Sequence, residues 1–172
     1  MKFKIDYHIQ SIYKLDLTFL KKSHIKNLVI DLDQTLDSPF SVIPSSDAFK
    51  LKDELNKLDI KMYVISNNRL KRVKPYCDKL KVTYLSRAKK TKKKRILQFL
   101  TENDININET LFVGDQLLTD GIYTKKINGL FLLVEPLTDV DNIFTKINRK
   151  IDIIIRRKLL KRNLLGIELG GK

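Results

Sequence analysis

Two aspartates separated by one residue, Asp31-Leu32-Asp33, end the run NLVIDL and lead into Gln34-Thr35. Along an extended chain, residues i and i+2 point to the same face. Where the strand ends and the backbone turns, both carboxylates can address one cation and one substrate. Such a pair suits phosphoryl transfer, which needs an in-line nucleophile and a group to protonate the leaving oxygen. Asp31 fits the first role and Asp33 the second. The same residues also make an ordinary solvated turn, so the pair needs company.

Three further groups supply it. Ser66 closes KMYVIS and is followed by Asn67-Asn68; a hydroxyl there can donate to a phosphoryl oxygen, with neighbouring N–H groups adding to it. A Ser-Asn-Asn turn can also be a mere connection. Arg87 to Arg95 reads RAKKTKKKR, with seven cations in nine residues. One of them suffices to neutralise a nucleophile and a phosphate, and the others form a solvated or anion-attracting face. Last comes Gly114-Asp115-Gln116-Leu117-Leu118-Thr119-Asp120, where Gly114 is expected to permit a tight turn. Magnesium takes one or two protein carboxylates, water and substrate phosphate. Asp31 and Asp115 meet that demand, and Asp120, five residues on, returns toward them.

The elements that must position these groups alternate in type. Strands are expected at Asn27–Leu32, Lys61–Ser66, Val82–Leu85, Thr110–Val113 and Leu130–Val134, each short and mostly apolar, as strands covered on both faces are. Helices are expected near Ser46–Leu58, Arg69–Lys79, Lys92–Glu102 and Leu117–Lys126. Ser45 or Ser46 serves as a cap for the first, and Pro75 should kink or shorten the second. This order predicts an α/β domain with a mostly parallel sheet. Each chemical group then falls at a strand's C-terminal end, where open parallel sheets bind ligands. The first 25 residues read as an extended or helical arm, and about Asp139 to Asn163 as a long helix. Residues 1–172 are taken as one domain, with 1–25 the arm and 139–172 a basic helix and tail.

The 172 residues are 42% hydrophobic, which suits a folded core and excludes wholesale disorder. One cysteine, Cys77, cannot form an internal disulfide, and His8 and His24 cannot make a zinc site. The longest apolar run, LFLLV, is far short of the roughly 20 residues of a membrane span. The N-terminus lacks the apolar core of a signal peptide, so a cytoplasmic location is expected, with peripheral contact at the inner membrane face open. The net charge of +14 implies attraction to polyanions or phosphorylated substrates. An AT-rich codon bias toward Lys, Asn and Ile accounts for such a charge equally well.

In these motifs the chain resembles the haloacid dehalogenase (HAD) superfamily of phosphatases: a DxDx[TV] strand end, a Ser or Thr strand end, a lysine, and an acidic turn. SNN, AKK and GDQLLTD resemble more narrowly the YqeG subgroup, which is similar in turn to phosphatidylglycerophosphate phosphatases. The resemblance implies a three-layer Rossmann-like fold without a large cap domain, and Mg2+ as cofactor. It implies Asp31 as nucleophile and metal ligand, and Asp33 as acid/base that lends its carbonyl to the metal. Thr35, Ser66 and Asn67 would hold phosphate, Asp115 would be the other carboxylate ligand, and Asp120 would support the metal. Lys90 would be the motif lysine. Thr91 stands where the family has proline, so Lys89 stays a candidate beside it, both for this role and for holding phosphate. Tyr123-Thr124-Lys125 stands where the family tends to have a glycine pair, which leaves the substrate-side loop open.

From Asp33 to Ser66 there are 33 positions and from Ser66 to Lys90 there are 24, too few for a separate cap. An open site favours a phosphate carried on something large. Phe144, Ile147, Ile151, Ile154 and Ile155 recur at helical spacing among Lys146, Arg149, Lys150, Arg156, Arg157, Lys161 and Arg162. Such a basic amphipathic helix either lies on an anionic membrane or packs its isoleucines on the sheet. The expected activity is hydrolysis of phosphatidylglycerophosphate, with an anionic phospholipid head group as partner. The alternatives are a phosphatase for nucleic-acid ends or phosphoproteins, and a non-catalytic nucleic-acid-binding protein.

Overall fold

The computed structural model describes residues 5–138, 143–162 and 164–169, and of residues 143–150 the backbone alone. In chain order come β1 (Tyr7–Ile9), a 3-10 turn (Ile12–Lys14), α1 (Leu17–Lys22), β2 (Asn27–Ile30) and α2 (Ser46–Lys57). Next are β3 (Lys61–Ile65), α3 (Leu70–Leu80), β4 (Thr83–Leu85), α4 (Lys93–Glu102), a 3-10 turn (Ile107–Glu109) and β5 (Thr110–Gly114). A π-helical turn (Leu117–Gly121), α5 (Ile122–Lys126), β6 (Leu130–Val134), α6 (Ile143–Lys161) and β7 (Ile167–Glu168) follow.

The strands form one sheet in the order β4-β3-β2-β5-β6-β1-β7, and every described pairing is parallel. Alternation along the strands feeds two apolar layers. Leu28, Ile30, Leu111 and Val113 face Leu51, Leu55, Val73, Tyr76 and Leu80 of α2 and α3. Val29, Phe112 and Phe131 face Ile96, Phe99, Leu100 and Tyr123 of α4 and α5, with Leu159 of α6. This is the expected three-layer α/β architecture, with no cap inserted among the described residues. Strand order reverses between β2 and β5, so the switch point opens at the ends carrying Asp31 and Asp115.

Several expectations are corrected. Of the extended or helical arm expected over residues 1–25, residues 5–25 are built into the domain: β1 lies between β6 and β7 in the sheet, and Leu20 of α1 is buried in the core. Pro75 does not shorten α3, which runs on to Leu80. Residues 117–126 are not one α-helix but a π-turn leading into α5. The cap expected for α2 is present in Ser45, whose hydroxyl accepts from the Ala48 N–H at 3.2 Å.

Of the apolar stripe expected on α6, the described part divides between core and solvent. Ile151 and Ile154 are exposed, whereas Asp152 and Leu159 are buried and Ile155 is partly so. The side chains of Phe144, Lys146, Ile147, Arg149 and Lys150 lie outside the described residues.

Candidate active site

The site assembles from the ends of four strands. β2 runs into Asp31, whose N–H donates to the Val113 carbonyl of β5 at 2.9 Å, continuing the ladder one residue further. β5 runs into Asp115. Carboxylate oxygens of Asp31, Asp115 and Asp120 all lie within 4.8 Å of one another. Lys90, only 2% exposed, sits among them. Its Nζ donates to Asp31 Oδ1 and to Asp120 Oδ1, the latter at 2.6 Å, and stands 6.0 Å from the Tyr123 ring centre.

Backbone shape explains why Lys90, not Lys89, reaches in. Lys89 has a left-handed φ of 52°, and the Lys90 N–H is held by the Asn67 side-chain oxygen at 2.9 Å. Lys89 stays outside, exposed at the mouth. Asn67 thus braces the lysine. Ser66 is buried, and its hydroxyl accepts from the Asn68 N–H at 3.1 Å. Thr35 is buried, and its hydroxyl finds no partner among the described residues.

The glycine before Asp115 has a different reason from the one expected. Gly114 has no left-handed φ. Instead, a Cβ there would lie 2.3 Å from Asp120 Cγ, so the missing side chain is the seat of Asp120. The π-turn delivers that carboxylate: Gly121 N–H reaches back five residues to the Gln116 carbonyl at 3.1 Å, widening the turn between Asp115 and Asp120.

Asp33 belongs to a second group. Its carboxylate accepts from Arg72 Nη2 at 2.8 Å and from the Asn68 amide, so the side chain lies outside the triad. Burial raises its pKa above the ordinary carboxylate value against the pull of Arg72 and Asn68, so it holds a proton more readily than a surface aspartate.

Burial raises Asp31 well above the usual carboxylate range; Lys90 opposes this, and Asp120 and Asp115 add to it. Burial works to lower Lys90, yet Asp120 and Asp31 outweigh it and hold the ammonium charged. Three carboxylates converge here as hard oxygen donors. That donor set fits a divalent ion such as Mg2+.

No protein-family profile matches the chain. It is 27% identical over 150 residues to the "Probable phosphatase YqeG" of Bacillus subtilis, covering 86% of each chain. Among solved structures, a proposed 3-deoxy-D-manno-octulosonate 8-phosphate phosphatase from Vibrio cholerae superposes with a TM-score of 0.53 at 15% identity, covering 91% of this chain and 96% of that one. The cobalt-bound deoxy-D-mannose-octulosonate 8-phosphate phosphatase of Haemophilus influenzae gives 0.50 at 14% identity, covering 67% and 81%. The chain shares the fold of these two phosphatases. Around the carboxylate cluster stand supporting residues that the sequence motifs do not mark. Arg72, one helical turn beyond Asn68, had its i+4 spacing as the only signal, and α6 contributes Asp152 and Arg156 from far along the chain with none.

Proposed function

We propose that the chain is a magnesium-dependent phosphomonoester hydrolase that works through an aspartyl-phosphate on Asp31 and takes phosphatidylglycerophosphate as substrate. The observation that carries the reaction class is the convergence of Asp31, Asp115 and Asp120 on Lys90. Asp31 attacks phosphorus, and its carboxylate oxygen forms the new P–O bond as the ester oxygen leaves. Asp33 gives that oxygen a proton, then takes one from the water that cleaves the aspartyl-phosphate. Lys90 holds Asp31 in place and offsets charge gathering on the phosphoryl oxygens. Ser66, Thr35 and the main chain near Asn67 bind those oxygens. A divalent ion held by Asp31, Asp115 and the Asp33 carbonyl, with Asp120 behind them, would supply further charge neutralisation.

Support for the lipid comes from the mouth. Asn67, Arg69, Arg87, Lys89, Thr91 and Lys92 line an open depression of about 410 Å³ above Lys90. On the Asp33 side, Arg72 Nη2 also donates to the Ser38 carbonyl at 3.3 Å. The loop that begins there leaves Phe40 67%, Val42 68% and Ile43 58% exposed. An open cationic depression and exposed apolar side chains on the loop after Ser38 are both features that suit an anionic bilayer surface. No helix among the described residues is long and apolar enough to cross a membrane.

Phosphate release is to be measured from anionic vesicles carrying phosphatidylglycerophosphate and, in parallel, from a 5′-phosphorylated oligonucleotide. Turnover on vesicles, abolished in Asp31→Asn, is expected. Equal turnover by that variant would sink the mechanism, and turnover confined to the oligonucleotide would sink the lipid.

A further inference from the structure

The turn that carries Asp115 and Asp120 is held by α6 rather than by its own caps. Gln116, preceding the π-turn, makes no side-chain cap hydrogen bond. In its place Asp152, 2% exposed, crosses from α6. Its Oδ1 accepts from the Leu117 N–H at 2.9 Å and the Leu118 N–H at 3.2 Å. One turn along the helix, Arg156 Nε donates to Asp152 Oδ2 at 3.1 Å. The same guanidinium donates through Nη2 to the Asp115 carbonyl and, at 3.3 Å, to the Val134 carbonyl, and through Nη1 to Glu135 Oε1 at 2.7 Å. A planar fork thereby ties the end of β5 to the end of β6 at the residue whose side chain enters the carboxylate triad.

A buried carboxylate is costly unless paired and hydrogen-bonded, and Asp152 is both. Leu159 and Ile155 of the same helix pack separately into the apolar layer on that side of the sheet. What the pair fixes is the main chain on either side of Gln116, and with it the spacing of Asp115 from Asp31 and Asp120. We infer that Asp152 and Arg156 are positioning residues that set the affinity of the Asp31–Asp115–Asp120 site for a divalent cation. This rests on the proposed metal-dependent reading of that site.

Mn2+ binding to the substrate-free protein, followed by electron paramagnetic resonance, reads the effect directly. Mg2+ titration of p-nitrophenyl phosphate turnover reads it kinetically. Arg156→Ala and Asp152→Asn should each weaken Mn2+ binding about tenfold or more, the range found when partners of metal ligands are removed. The Mg2+ concentration for half-maximal turnover should rise in step, while kcat at saturating Mg2+ stays within about threefold of wild type. Arg156→Lys, which keeps the charge but not the fork, should fall between. Lys158→Ala, exposed on the same helix, should match wild type. A purely structural role would lower the melting temperature with unchanged Mn2+ affinity in the folded fraction, and that result overturns the inference. Should Arg156→Ala not fold, Arg156→Lys and Asp152→Asn decide by the same measurement. Wild-type protein that neither binds Mn2+ nor turns over would instead sink the reading of the site itself.

Discussion

A lysine with almost no solvent contact is held charged by its neighbours or not at all. Lys90 has two such neighbours, Asp31 and Asp120, whereas Lys89 beside it is exposed. Removing the ammonium leaves carboxylates facing one another and strips the phosphoryl oxygens of a fixed positive charge. Lys90→Ala should therefore lower kcat on p-nitrophenyl phosphate by about 10²–10³, the cost of losing one such group. Lys89→Ala should act on KM, with kcat within about threefold, as steady-state kinetics will check. Two adjacent lysines in a basic run look alike as letters. What separates them is a left-handed φ at one and an asparagine brace on the other, and both belong to the folded loop.

The secondary-structure elements that were legible are those whose apolar runs feed the sheet. β3 and β6 begin where the patterns place them, and the four motifs fall at strand ends because parallel strands enter the switch point from one side. Illegible were the elements defined by what they meet. β1 is three residues long and is a strand because β6 and β7 flank it. α6 turns Asp152 and Arg156 inward to bonds available only once the β5 end is built, so an apolar pattern could not reveal them. The π-turn follows from the seating of Asp120 against Gly114. Gly114→Ala puts a methyl group into that seat, displacing Asp120 and loosening Lys90. The expected outcome is a loss of turnover of at least about tenfold, with a stability loss on the order of 1–3 kcal/mol by chemical denaturation, as for other overpacked positions.

At the scale of the whole molecule, the +14 charge is a field rather than a site. Its range is about 10 Å at 0.1 M salt, so it governs how the protein meets a charged surface and not how the phosphoryl group moves. Raising NaCl from 50 to 500 mM should lower turnover on anionic vesicles by about tenfold or more, since each basic residue near such a surface contributes on the order of 1 kcal/mol. Turnover of p-nitrophenyl phosphate should change far less over the same range. Comparable losses on both substrates would show that salt acts on the catalytic centre and not on docking.

The sheet is knit from distant stretches of the chain. Tyr7 pairs with Ile167, 160 residues away, and the Ile5 N–H donates to the Leu164 carbonyl. Closing so wide a loop is expected to follow the shorter-range pairing of β2, β3 and β5, because its entropy must be spent before any bond rewards it. Made from the N-terminus, β1 leaves the ribosome well before its partner β7. The helix that braces the Asp115 turn also follows β6, so that turn gains its brace only after every strand from β1 to β6 has been made.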